Sequence, residues 1–312
     1  MRKLITYILL FVFVGVNGQV PFMIAKNEVG LPLQIEVNTA LGDGDNTFTI
    51  PGNSSLIYDC TVDWGDGNSS VVTAWNDADL SHTYTSGGTY TISITGTFEG
   101  FYFNDIGDKL KVISIISFGE TNYLLDGGDF YGCSNITGSL PSIPSSVTSI
   151  GNLAFNGCSG FTGTLTIPSS VTSIGVLAFT DCSGFTGTLT IPSSVTVIGD
   201  GVFDGCSGFT GDLTIPSSIT YISASSFLGC TGFNGTLTIP SSVTVIDGSA
   251  FSSCSGFIRV DCFPLSAPAT TTFSMNLGGT ARPLHIQSSG TSGYNVSPWT
   301  DTGIFSSIIQ DL

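Results

Sequence analysis

From Thr162 to Phe185 the chain reads TGTLTIPSSVTSIGVLAFTDCSGF, and its apolar positions are spaced in two ways. Leu165 and Ile167 alternate with Thr164 and Thr166, the period of a strand with one buried face. Pro168 ends that strand, because proline has no N–H to give to a ladder. Val171, Ile174, Ala178, Phe179, Cys182 and Phe185 follow at wider intervals as further inward positions. Glycines at 163, 175 and 184 mark bends, where a Cβ would crowd the turn or φ is positive. Nearly the same words return over residues 186–209, 210–233 and 234–257, and a fifth copy, 137–161, carries one extra residue. Cysteines at 133, 158, 182, 206, 230 and 254 keep the period, spaced 25 residues once and 24 thereafter. No unit of this size buries its apolar face alone, so the repeat predicts a solenoid of coils stacked about 4.8 Å apart.

Residues 29–100 follow another pattern. Leu31, Leu33, Ile35 and Val37 alternate with other positions, as do Tyr58, Cys60, Val62 and Trp64, and later Tyr90, Ile92 and Ile94. Short strands separated by Gly, Asn and Asp clusters predict a small β-sandwich, and with the solenoid they make the fold mainly β. At the start, Arg2 and Lys3 precede the apolar run Leu4–Val16 and then Asn17-Gly18, which reads as a secretory signal cut after Gly18. The run is short of the roughly 20 residues a membrane span needs, as is the tail Ile304–Ile309, so no direct membrane insertion is expected after the signal is removed. Composition adds one exclusion: 23 acidic against 7 basic side chains, a net charge of −16, repel phosphates, so nucleic acid is a poor partner.

At these residues the repeat resembles the BspA-like leucine-rich repeat family of bacterial surface proteins, whose unit reads IPxSVTxIGxxAFxGCxxL. The resemblance extends upstream, with Leu110–Phe118, Phe130 and Cys133 as a divergent first repeat. Downstream, Ile258–Cys262, Phe273 and Leu284-His285-Ile286 look like a degenerate last one, and Tyr294–Trp299 is similar to the closing segment of such arrays. Before the repeats, Val62-Asp63-Trp64-Gly65-Asp66-Gly67, then Ser81-His82-Thr83-Tyr84 and Gly88–Ile92, resemble a PKD-type immunoglobulin-like domain. The implied organisation is a signal peptide over 1–18, a PKD-like sandwich over 19–100, a solenoid over 101–286 and a cap over 287–312, with Phe101, Tyr102 and Phe103 packing the junction. The resemblance implies a non-catalytic, secreted or cell-surface recognition or adhesion protein, with the sandwich as spacer.

The outward strand positions form a column, Thr164, Thr166, Thr188, Thr190, Asp212, Thr214, Thr236 and Thr238, which is the candidate binding face for an extracellular protein or glycan. An alternative reading matches this regular hydroxyl array to an ice lattice, although threonine also suits an exposed strand for its β-branching. The repeat cysteines, Cys133, Cys158, Cys182, Cys206, Cys230 and Cys254, would point the same way in successive coils, which favours a buried thiol column over disulfides. Acidic turns at Asp43 with Asp45, Asp63 with Asp66, Asp77 with Asp79 and Asp126 with Asp129 are oxygen-rich and suit calcium, although Asp is also an ordinary turn residue. A calcium-stabilised structural protein is therefore a further alternative, and no other cofactor is expected. Only His82 and His285 are available for acid–base chemistry and no G-x-S-x-G elbow occurs, so no catalytic residue is assigned. Asn53, Asn68, Asn135 and Asn234 begin N-x-S/T sequons.

Overall fold

The computed structural model describes residues 30–120, 122–247 and 249–262, and the backbone of two further strands, Arg282–Gln287 and Phe305–Asp311. The signal peptide read over 1–18 and the segment Tyr294–Trp299 lie outside these residues. The structure is mainly β, and among the described residues no helix is long and apolar enough to cross a membrane.

Seven strands precede the first regular coil: β1 (Leu33–Asn38), β2 (Thr47–Thr49), β3 (Tyr58–Asp63), β4 (Ser69–Val72), β5 (Ser81–Thr83), β6 (Thr89–Phe98) and β7 (Val112–Ser117). Five of them form an antiparallel sheet in the order β4-β3-β6-β1-β7, while β2 pairs with β5. The alternation is obeyed within the strands, where Leu33, Ile35 and Val37 of β1 and Tyr58, Cys60 and Val62 of β3 are buried, whereas Leu31, which the pattern included, precedes β1 and is exposed. β7 comes from the stretch that reads as a divergent first repeat, and it uses both of its edges. One edge pairs antiparallel with β1, and on the other the Ile113 carbonyl accepts the Thr137 N–H of the first coil at 2.9 Å. The sheet and the array therefore share a strand.

Each coil of the array has two short strand positions. The Thr-Leu-Thr-Ile stretch is one: Leu213–Thr214, Thr236–Ile239, Arg259–Cys262, Arg282–Gln287 and Phe305–Asp311 pair in parallel, and a bridge joins Thr166 to Thr190. The second position, absent from the sequence reading, lies seven to nine residues further on. There Ser149–Ile150, Ser173–Ile174 and Val197–Ile198 form one parallel ladder, and Tyr221–Ile222 pairs with Val245–Ile246 in another. The Pro-Ser-Ser between the two positions is a staple as well as a turn. In each of four coils its second serine donates to the coil before: Ser170 to the Val147 carbonyl, Ser194 to Val171, Ser218 to Val195 and Ser242 to Ile219, at 2.5–2.9 Å. The glycines divide between the two physical reasons for having them. Gly163 has φ +77°, whereas at Gly184 a Cβ would stand 2.2 Å from the Phe161 carbonyl oxygen.

Two phenylalanine ladders fill the core. Phe130, Phe155, Phe179, Phe203, Phe227 and Phe251 stack with centroids 5.2–5.8 Å apart, and Phe161, Phe185, Phe209, Phe233 and Phe257 with centroids 5.0–6.2 Å apart. The ladders touch edge to face within a coil, as at Phe203 and Phe209, 6.1 Å apart. Coil 210–233 departs from this regularity. Ser223 stands where earlier coils have Gly151, Gly175 and Gly199, and its hydroxyl, 2.6 Å from the Ile198 carbonyl, replaces the bond that the Gly175 and Gly199 N–H groups make. Three residues on, Ser226 occupies the site of Ala154, Ala178, Val202 and Ala250; its hydroxyl is fully buried and has no hydrogen-bond partner among the described residues. Leaving such a hydroxyl unpaired costs about 1–3 kcal/mol, so Ser226→Ala is expected to stabilise the protein by about 1 kcal/mol. A lower urea midpoint in the variant would show that the hydroxyl is satisfied.

Sheet and array meet in an aromatic cluster. Phe101 packs against Phe98, Phe103, Tyr123 and Phe130 with centroids 4.9–6.2 Å apart, while Tyr102, expected to share this role, is only half-buried. Within it Asp129 is 1% exposed and accepts the Tyr123 hydroxyl at 2.9 Å and the Gly127 N–H at 3.0 Å. Burial pushes its carboxyl up to about 7, against the pull of those two donors. Because the folded state holds this proton more tightly than the unfolded chain, the stabilisation is complete below about pH 4 and is lost as pH rises through about 7. Urea midpoints are therefore expected to fall between pH 5 and pH 8 by more in the wild type than in Asp129→Asn (about 0.5 M or more apart for a urea slope near 2 kcal/mol/M). Equal falls in the two proteins would place the titrating group elsewhere.

Candidate functional site

The threonine column lies on the outward side of the first strand position. Thr164, Thr166, Thr188, Thr190 and Thr214 are exposed, and Thr236 and Thr238 are half-buried, while Leu165, Leu189, Leu213 and Leu237 between them are buried. Asp212 is exposed, yet its carboxylate is turned along the array and accepts the Thr236 N–H at 2.6 Å. It is a clamp onto the next coil, and Gly235 leaves room for it, since a Cβ there would stand 2.1 Å from Asp212 Oδ1. The column ends beside Arg259, whose Nε pairs with Asp261 at 2.5 Å. Interruption at Asp212 breaks the hydroxyl lattice that ice matching needs.

A second hydroxyl column, unforeseen in the sequence reading, runs along the other strand position. Thr172 donates to the Thr148 carbonyl at 3.1 Å, Thr196 to Thr172 at 3.3 Å and Thr244 to Thr220 at 3.1 Å. These hydroxyls are spent on the neighbouring coil, which stiffens the array. Next to them the outward side chains change from coil to coil: Ser149, Ser173, Val197, Tyr221 and Val245. The cue in the sequence was Tyr221, the single Tyr or Trp between Gly132 and Ile258.

The cysteine column is buried along its whole length, at Cys133, Cys158, Cys182, Cys206, Cys230 and Cys254. From Cys158 onward each thiol donates to a phenylalanine carbonyl of the preceding coil, for example Cys182 to Phe155 at 3.1 Å and Cys206 to Phe179 at 3.0 Å. Burial pushes the Cys158, Cys182, Cys206 and Cys230 thiols up, so they stay protonated. Their work is packing.

The acidic turns have partners within the chain. Asp43 and Asp45, read as calcium ligands, instead hold the ammonium of Lys111 at 2.6 and 2.7 Å, with Asp108 at 2.9 Å. Burial alone would lower the Lys111 ammonium, but the three carboxylates outweigh it and raise it. Asp63 accepts the Gly65 N–H at 2.9 Å, which is a turn bond. Asp66 accepts from the Asn68 backbone and side chain at 3.0 Å and pairs with His82 Nε2 at 2.8 Å. Desolvation pulls the Asp66 carboxyl up, but bonds from His82 and Asn68 prevail and hold it at about 2. His82 in turn stacks on Trp64 with centroids 5.1 Å apart, and the Tyr84 hydroxyl donates to the Trp64 carbonyl at 3.0 Å. Asp77 caps the short turn Ala78–Leu80 by accepting the Asp79 N–H at 3.1 Å. Among the described residues no group of three or more His, Cys, Asp or Glu side chains is arranged to hold a metal ion. The side chain of His285 lies outside the described residues.

Comparison with known proteins finds a likeness over the repeats. Residues 109–258 match the BspA type leucine-rich repeat region in six copies. No curated protein matches the sequence. Among solved structures, a leucine-rich cell surface protein from Faecalibacterium prausnitzii is similar at 22% identity and a TM-score of 0.40, over 58% of this chain and 64% of that one. A leucine-rich repeat protein from Bacteroides ovatus is similar at 20% identity and a TM-score of 0.35, over 73% of this chain and 61% of that one. The match therefore spans less than two thirds of either structure's length.

Proposed function

We propose that this chain is a non-catalytic recognition protein of the cell surface or the secreted fraction, which holds an extracellular protein or glycan against the threonine column of its repeats. The observation that carries the reading is the column itself: exposed hydroxyls on a stack whose coils are bound to one another by backbone, serine and threonine hydrogen bonds. A platform already rigid before binding loses little freedom on contact, which favours affinity from modest individual interactions. The match of residues 109–258 to BspA type repeats supports the same reading. Residues 19–100 are read as an immunoglobulin-like spacer of PKD type. Its support is the Trp64 turn, fastened by the Tyr84 hydroxyl and by Trp64 Nε1 donating to Ser70 at 3.0 Å. The basic and apolar start of the chain supports export.

The test is a screen of the secreted protein against immobilised matrix proteins and a glycan array, repeated with Thr188→Val and Thr190→Val combined. Loss of at least about tenfold in affinity, or 1.4 kcal/mol, at an unchanged melting temperature is expected. Unchanged affinity would remove the column from the site, and ice-growth inhibition with no macromolecule bound would replace the reading altogether.

A further inference from the structure

From Val112 to Ile258 the chain carries no Lys, Arg or His. Within that stretch Asp181, Asp200 and Asp204 enter no ion pair among the described residues. Beside Asp200 runs an apolar strip. Val197 is 56% exposed and Tyr221 44%, at a position that earlier coils fill with Ser149 and Ser173. The strip is continuous across the coils. Ser223 donates to the Ile198 carbonyl at 2.6 Å and Gly201 N–H to Ala224 at 2.9 Å, which sets Val197 beside Tyr221, while Tyr221 pairs with Val245. The Tyr221 ring is also held in place, because its hydroxyl donates to Asp247 at 2.5 Å. A rigid aromatic on a flat, half-apolar surface is the usual anchor of a protein interface.

The threonine column is nearly the same in every coil and so offers each coil the same contact. The strip differs from coil to coil and has one place only where Val, Tyr and carboxylates adjoin. Its complement is apolar and positively charged, a description that sulfated or phosphorylated ligands do not meet. We propose that the strip Val197–Tyr221–Val245, rimmed by Asp200, docks a polypeptide segment in which lysine or arginine alternates with apolar side chains. This deepens the recognition reading by naming a second surface and the chemistry of its partner.

The experiment uses the full chain and a fluorescein-labelled peptide of alternating lysine and valine, followed by fluorescence anisotropy. Saturable binding is expected, weakened at least about tenfold in the double variant Val197→Ser, Tyr221→Ser. In Asp200→Asn the loss should be about threefold, with a shallower salt dependence. Peptides of alternating glutamate and valine should not bind, and oligolysine should bind weakly and with equal strength to wild type and double variant. Circular dichroism melts confirm that the variants fold, and a second double variant, Val197→Thr, Tyr221→Thr, places a β-branched residue at both positions should the serines unfold the coil. Absence of binding by the lysine–valine peptide, or binding that both double variants leave intact, overturns the proposal. Binding lost only when Thr188 and Thr190 are replaced also overturns it, while leaving recognition by the threonine column standing.

Discussion

Replacing Phe203 by Ala will cost the protein about 3–5 kcal/mol, the usual loss for a buried aromatic truncated in a packed core. Phe203 is fully buried and lies between Phe179 and Phe227, with centroids 5.8 and 5.4 Å away, and edge-on to Phe209 at 6.1 Å. The change removes three ring contacts and interrupts one phenylalanine ladder in mid-array. Neighbours cannot collapse into the space, because each is fixed in register by hydrogen bonds such as Phe203 N–H to the Ser226 carbonyl at 2.8 Å and Phe179 N–H to Val202 at 2.9 Å. Since coils of a solenoid touch only their neighbours, the loss concentrates at two interfaces, and the array is expected to unfold in two steps rather than one. Thr190→Ala is the control: it removes an exposed methyl and hydroxyl and should change stability by less than about 0.5 kcal/mol. Equal losses in urea titrations of the two variants would mean that the inward and outward faces are reversed.

Lys111→Met is expected to cost about 3 kcal/mol, near the lower end of what breaking a buried ion pair costs. Methionine keeps most of the stem but removes an ammonium that is bonded to Asp43, Asp45 and Asp108 and also donates to the Thr47 carbonyl at 2.7 Å. The lysine side chain is 1% exposed whereas Asp43 and Asp45 are more than half exposed, so those two carboxylates can return to water. Asp108 is 13% exposed and cannot do so as easily; its second oxygen stays bonded to the Thr49 N–H at 2.7 Å. The damage should therefore be local, at the clamp that joins the loop after β1 to the start of β7. Adding Asp45→Asn to Lys111→Met should recover part of the loss, because it relieves repulsion among the abandoned acids. If the double variant is instead less stable than Lys111→Met, then Asp45 serves some partner other than this lysine.

Much of the repeat region was legible because periodicity is a local property. Leu165 and Ile167 alternating with Thr164 and Thr166, a proline to stop the strand and a cysteine every 24 residues already state which side chains go inward. Period 2 in β1 and β3 did the same for the sheet. Tyr221 was visible too, as the one Tyr or Trp between Gly132 and Ile258, but whether it faces water depends on the coil closing correctly.

Other features depend on distance through space, which spacing along the chain does not encode. Asp43 and Asp45 read as an oxygen-rich turn because calcium and an ammonium ask for the same atoms; that the cation is Lys111, 66 residues beyond Asp45, follows only once β7 lies against β1. β7 itself reads as repeat, since its apolar pattern suits either neighbour, and the fold uses both of its edges. The near-neutral pH at which Asp129 titrates is likewise absent from its sequence neighbours, because the low-dielectric cage that raises it is assembled from both sides of the junction. The sequence by itself determined the repeat, its inward and outward faces and the chemistry of its core. Tertiary structure decided which charges meet and which strand is shared, because a Coulomb energy or a ladder bond is set by where distant segments come to rest.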